Sequence, residues 1–159
     1  MRRNAPATTA SSHDTQLLRA AVDSMPCGFS VWNEKFALEL FNQRFLDMFG
    51  LPEEKVAPGI TLYQICALTV AAGRGSGLPV NVLYGGLKRR LEQQMEQQVP
   101  GRLEQVVGDL TIRTSFARHP AIGWMVTHED ISEDVRQRKA EKENKQRLLT
   151  QKTWFERAI

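Results

Sequence analysis

Apolar positions along this chain follow two rhythms, a helical one through the first two thirds and a strand-like one after it. Leu17, Leu18, Ala21, Val22 and Met25 recur at helical spacing until "PCG" stops them, which predicts a short N-terminal helix. "GFSVWN" and "FALELFN" are β-prone runs separated by "EK", with Asn33 starting a turn, so a β-hairpin follows. In "NQRFLDMFGLP", Phe41, Phe45, Met48 and Phe49 share one helical face, and Gly50 with Pro52 closes the helix. "PGITLYQICALTVAAG" brings Ile60, Tyr63, Ala67 and Val70 to one face of a second helix, and "GRGSGLP" after it is a flexible loop by composition. Beyond Pro79, the positions Val80, Leu83, Tyr84, Leu87, Leu91 and Met95 keep a 3.6 period across a long helix.

"RLEQVVG", "LTIRTSFARH" and "IGWMVTHED" are rich in Val, Ile, Thr and aromatic residues and are separated by "GD" and "HPA", as in three consecutive antiparallel strands. Strands at both ends with helices between them must meet in one sheet covered by the helices on one face, since otherwise neither apolar face is buried. The expected fold class is therefore α+β with a five-stranded antiparallel sheet. After Ser132 comes "EDVRQRKAEKENKQRLL", which has no Gly or Pro and reads as a continuous, mostly charged exit helix.

Composition divides the chain further. The 159 residues, 42% hydrophobic and 25% charged, allow one ordinary domain with attached segments. Residues 1–14 have no apolar period and are expected to be a disordered leader; 15–132 form the domain, and 133–159 the exit helix. The net charge of +3 is mild and its excess sits near the ends, so nucleic acid is not expected as a partner. No apolar run reaches the ~20 residues that span a bilayer, and the N-terminus lacks a signal-peptide core; a cytoplasmic protein without a membrane partner is expected. Cys27 and Cys66 lie in apolar surroundings without CxxC spacing and read as buried, reduced thiols.

Catalytic chemistry finds no support in the spacing. His13 lies in the leader, His119 precedes Pro120 in a turn and His128 sits on the last strand, so no pair has metal-ligand spacing. "GRGSG" has no following Lys-Ser/Thr and does not join a strand to a helix, which favours a loop over a phosphate cradle. "LKRR", residues 87–90, is a basic cluster on the solvated side of the long helix without a helix-turn-helix signature.

The order of elements, together with Met25, Gly28, Asn42 and Gly50 in "DSMPCGFSVWNEKFALELFNQRFLDMFGLP", resembles the PAS family of sensory modules over residues 17–132. "GWMVTHEDIS" is similar to the strand-terminal Asp-Ile-Thr motif of that family through Asp130, Ile131 and Ser132, with Ser in place of Thr. The resemblance extends to a subfamily found at the N-terminus of bacterial diguanylate cyclases, cyclic-di-GMP phosphodiesterases and sensor histidine kinases. It implies a sensor with no catalysis in this chain, signalling to an output domain further along. Flavin-binding members carry a reactive Cys in an Asn-Cys-Arg helix, whereas Cys66 lies in "QICAL"; haem members offer a core-helix His, and none is placed so here. No cofactor is expected.

The junction has its own physical reading. Asp130 or Ser132 can accept hydrogen bonds from free amides at the helix start, Glu133 and Asp134 complement its dipole, and Asp130 with Glu133 has capping-box spacing. An ordinary helix cap and a signal relay are both compatible with these residue types. The exit helix is poor in apolar residues, but Val135, Lys142 and Leu149 fall seven apart, which permits a weak parallel coiled-coil homodimer. Trp154, Phe155, Ala158 and Ile159 repeat the spacing of Leu17, Leu18, Ala21 and Val22, as if a second domain began there. The resemblance implies a small-molecule cleft between sheet and helices. Its expected walls are Trp32, Tyr63, Tyr84, Leu87, Thr114, Phe116, Val126 and His128, with His128 titrating near neutral pH if partly buried. The alternative is that these residues are simply core and that the chain is a ligand-free interaction module that only pairs copies of itself.

Overall fold

The computed structural model describes residues 7–97 and 100–158. Helix α1 (Ala7–Asp23) leads into strands β1 (Gly28–Trp32) and β2 (Leu38–Phe41). Helices α2 (Gln43–Phe49), α3 (Leu62–Ala71) and α4 (Val80–Gln97) follow, with one 3₁₀ turn at Glu53–Lys55. Strands β3 (Gly101–Val107), β4 (Leu110–His119) and β5 (Gly123–Asp130) then lead into helix α5 (Ser132–Ala158). The five strands form one antiparallel sheet in the order β2-β1-β5-β4-β3, so the first and last strands are neighbours and the hairpin joins the later three strands there. The α+β expectation and the meeting of the two strand groups agree with this sheet.

Strand alternation decides which side chains face the helices. Trp124, Val126 and His128 of β5, Ile112, Thr114 and Phe116 of β4, and Leu103 and Val107 of β3 are buried. They pack with Phe45, Leu46, Met48 and Phe49 of α2 and with Leu62, Ile65 and Cys66 of α3, and the apolar stripe of α4 lies against this core. Gly28 stands directly across from His128. A Cβ there would come within 3.2 Å of both His128 Cβ and Met48 Sδ, so the missing side chain lets α2 close over the sheet.

Asn42 is the main tie between layers. Its side-chain oxygen accepts from Phe45 N, which caps α2, and from Phe29 N of β1. Its amide donates to Val22 O at the end of α1 and to Cys27 O before β1. All the hydrogen-bonding capacity used is internal, and the residue is buried. Gly50 ends α2 in the left-handed region at φ 65°, a conformation glycine adopts without Cβ strain.

Three expectations are corrected by the fold. Of the leader, residues 1–6 lie outside the described residues, but Ala7–Asp14 belong to α1; the stretch contains no Gly or Pro, and extending an existing helix needs no new nucleus. Helix α3 buries Leu62, Ile65, Cys66 and Thr69 instead of the face with Ile60, Tyr63, Ala67 and Val70. Its sequence is apolar almost all round, and a helix of that kind carries little directional signal. Helix α5 runs unbroken to Ala158, through the segment expected to start another helix, because nothing between Lys152 and Ala158 interrupts helical hydrogen bonding. Ile159 lies outside the described residues. No described helix is long and apolar enough to cross a membrane.

Candidate functional site

A cavity of about 220 Å³ lies between the sheet and the helices. Its sheet side is made by Trp32, Thr114, Phe116, Trp124, Val126 and His128, and its helical side by Phe45 and Phe49 of α2, Leu62, Ile65, Cys66 and Thr69 of α3, and Leu83, Leu87 and Leu91 of α4. The walls are therefore mostly aliphatic and aromatic with few polar groups, the usual make-up of a small-molecule pocket. The loop after α3 closes part of it: Arg74 donates to Met48 O at 2.8 Å and Ser76 to Val106 O, so the segment expected to be a flexible loop is tied to both α2 and β3.

Of the eight residues expected to line a cleft, Trp32, Leu87, Thr114, Phe116, Val126 and His128 surround this one cavity. Tyr63 and Tyr84 do not. Their rings meet edge to face at 5.3 Å where α3 packs on α4, and the half-exposed Tyr63 donates to Asn81 Oδ1. Tyr63 stands on the face of α3 that turns away from the cavity, whereas Tyr84, on the α4 stripe, is taken up by the contact between the two helices. The misplaced face of α3 also hid the part of Cys66 and Thr69 in the wall, which the buried stripe Leu62, Ile65, Cys66, Thr69 would have revealed.

His128 is the centre of the polar group in the cavity wall. Its Nε2 lies 3.2 Å from Ser30 Oγ and its Nδ1 3.0 Å from Thr114 Oγ1, while the Trp32 indole donates to Ser30 Oγ at 2.9 Å. Phe45 and Phe49 rings flank the imidazole at 5.3 and 4.9 Å. Burial without any charged neighbour pushes its pKa down from 6.5 to about 3, so it does not titrate near neutral pH and stays uncharged there. Cys66, on the cavity's helical side, is pushed up to about 12 by burial and stays a thiol. Among the described residues no group of three or more His, Cys, Asp or Glu side chains is placed to hold a metal ion.

The strand that carries Trp124, Val126 and His128 becomes α5 within a few residues. Ile131 is 1% exposed; its N–H donates to Thr111 O of β4, and its carbonyl accepts from Val135 N in the first turn of α5. Ser132 Oγ donates to Asp130 Oδ1 and accepts from Thr111 N at 2.9 Å, and Asp130 Oδ1 also accepts from Ser132 N. The hydroxyl and the backbone N–H of Ser132 hold the Asp130 carboxyl below its ordinary value. The expected capping box is not formed: Glu133 turns to Arg136 at 2.7 Å and to Gln137, and the hydroxyl of Ser132 faces β4 instead of the helix amides. Asp130, Ile131 and Ser132 thus pin the junction to β4.

A family model described as PAS fold matches residues 22–139. The chain belongs to the PAS family. Members of this family are generally sensory modules without catalysis of their own. No curated protein matches. Among solved structures, the PAS chain is similar to the phage VqmA–DPO complex, with a TM-score of 0.55 and 13% identity over 85% of this chain; it spans 62% of that one. It is also similar to the PAS domain of BvgS from Bordetella pertussis, with a TM-score of 0.52 and 17% identity, covering 83% of this chain and 98% of that one. A PAS domain from Colwellia psychrerythraea gives a TM-score of 0.51 at 14% identity, covering 76% of this chain and 98% of its own. At these identities the likeness concerns the fold.

Proposed function

We propose that this PAS chain is a sensory module of a larger bacterial signalling protein, in which a small ligand in the sheet–helix cavity is reported through β5 to α5. The observation that carries this reading is continuity: His128 forms part of the cavity wall, and the Asp130–Ser132 junction that starts α5 lies two residues further on the same strand. The output domain fed by α5 is of the diguanylate cyclase, cyclic-di-GMP phosphodiesterase or histidine kinase kind, and this chain contributes no catalysis. The module works in the cytoplasm, consistent with its two free thiols. It carries no resident flavin or haem: Cys66 lacks the Asn-Cys-Arg setting of flavin-binding members, and both ring nitrogens of His128, the histidine in the cavity wall, are engaged by hydroxyls and are not free to bind iron. Neither nucleic acid nor a membrane is among its partners.

The test is thermal unfolding of the chain against a panel of small apolar molecules. A ligand at about 100 times its Kd stabilises the native state by ~2.7 kcal/mol, with a shift that saturates. No shift across aromatic, heteroaromatic and aliphatic probes of suitable size contradicts the reading.

A second reading, a ligand-free homodimerisation module, is favoured by one observation. Leu17 and Leu18 on α1 and Leu148, Leu149, Trp154 and Phe155 on α5 are exposed, with Trp154 at 70%. Large apolar side chains on flanking helices suit helix pairing between copies, and a homodimer belongs to both readings. The ligand panel separates them.

A further inference from the structure

Hydrogens and acceptors around His128 do not balance within the protein. The Trp32 indole can only donate, so Ser30 Oγ accepts from it. Ser30 is fully buried, and among the described residues its other side-chain partner is His128 Nε2. Its hydroxyl hydrogen is therefore directed to Nε2: the reverse order would leave the surplus hydrogen on Ser30, fully buried and outside the cavity wall, where a buried donor left unused costs its desolvation without return. A neutral imidazole that accepts at Nε2 carries its hydrogen on Nδ1, which donates to Thr114 Oγ1. Donation thus runs one way, from Trp32 to Ser30 to His128 to Thr114. It ends on the Thr114 hydroxyl hydrogen, for which the described residues supply no acceptor.

The position of that last hydrogen matters. Ser30 is not part of the cavity wall, whereas Thr114 is, with only 7% of the residue exposed. The surplus donor is therefore held in a mostly apolar chamber. Thr69, another hydroxyl of the wall, already donates to Ile65 O at 2.8 Å. The chamber's 220 Å³ exceeds the ~150 Å³ of an apolar cavity able to take benzene, which leaves room for one ring with substituents.

Building on the cavity as a ligand site, we infer that it takes a mainly apolar, ring-sized molecule whose uncharged acceptor, a carbonyl oxygen or a ring nitrogen, receives the Thr114 hydroxyl hydrogen. The relay needs a neutral His128, because only a neutral ring leaves Nε2 free to accept. An acceptor at that point satisfies the last donor of the chain, while the aromatic and Leu side chains take up the rest of the ligand.

Acetophenone and isopropylbenzene have nearly the same shape, one presenting a carbonyl oxygen where the other has a methyl group. Calorimetric Kd values for both are measured on the full chain, on Thr114→Val and on Thr114→Ser. The preference for acetophenone, expressed as the ratio of the two Kd values, is expected to fall about five-fold in Thr114→Val and to return in Thr114→Ser. A ratio unchanged by Thr114→Val overturns the inference while leaving the cavity as a ligand site. Failure of both probes to bind the unsubstituted chain removes the ligand site and the inference together. Ring ¹⁵N spectra of His128 give a test that needs no variant: the hydrogen is expected on Nδ1, and a hydrogen on Nε2 overturns the relay.

Discussion

Thr111 and Ser132 hold each other across the strand-to-helix junction: the Thr111 N–H donates to Ser132 Oγ at 2.9 Å, one residue after the Thr111 carbonyl accepts from Ile131 N. Ser132→Ala leaves the Thr111 amide without its acceptor and deprives Asp130 of its hydroxyl donor. A loss of about 1–2 kcal/mol in urea unfolding is expected, with Ser132→Thr close to the unsubstituted chain. An alanine variant of full stability contradicts the pinned junction.

Asp130 supplies a pH signature at the same place. Its folded pKa lies below the ordinary 3.8, so its contribution to stability is complete above that value and is lost as pH falls through the lower folded pKa. The stability difference between the chain and Asp130→Asn is expected to be constant at neutral pH and to close only under more acid conditions than pH 3.8. A difference that closes well above that point contradicts the hydrogen bonds from Ser132.

His128 acts over a different window. Its folded pKa of about 3 against an ordinary 6.5 means that the unfolded chain binds a proton the native one refuses. Stability in place above pH 6.5 is thus lost steadily toward pH 3, by up to tenfold in the folding equilibrium per pH unit. His128→Gln should flatten this part of the profile; an equally steep profile in the variant assigns the loss to other groups.

Asn42→Ala removes four hydrogen bonds to backbone groups of α1, β1 and α2 and the segments between them. A cost of about 3 kcal/mol or more is expected from chemical unfolding, because buried and part-buried backbone donors and acceptors lose their partner. A cost below about 1 kcal/mol shows that these groups are satisfied in another way.

How much of this was legible beforehand depended on how one-sided each segment is. Helix α4 has Lys, Arg, Glu and Gln on one side, so Leu83, Leu87 and Leu91 could be placed correctly. In α3, "LYQICALTVA" offers apolar residues in every direction; the burial of Cys66 was readable, but the place of Cys66 and Thr69 in the cavity wall emerged only when the sheet chose a face. Strand alternation made Thr114, Phe116, Val126 and His128 readable as one wall. The motif reading also singled out Asn42, though its four partners depend on where three elements converge. Ser30 was missed, although its place two residues before Trp32 puts both on the same side of β1. Thr111 was beyond reach, since its role follows from the register in which Ile112 pairs with Asp130.

Assembly through the flanking helices is tested by sedimentation. Replacing Trp154 and Phe155, both exposed, with Ser is expected to weaken self-association at least several-fold without loss of folding. Unchanged association places the contact elsewhere.

The central claim is that occupying the cavity is felt where β5 becomes α5. Hydrogen exchange of the Ile131, Ser132 and Val135 amides, measured with and without saturating acetophenone, addresses it most directly. The account predicts that exchange at these three amides changes together with that of the cavity-wall strands. Protection of the wall strands with no change at the junction would show that a bound ligand goes unreported to α5.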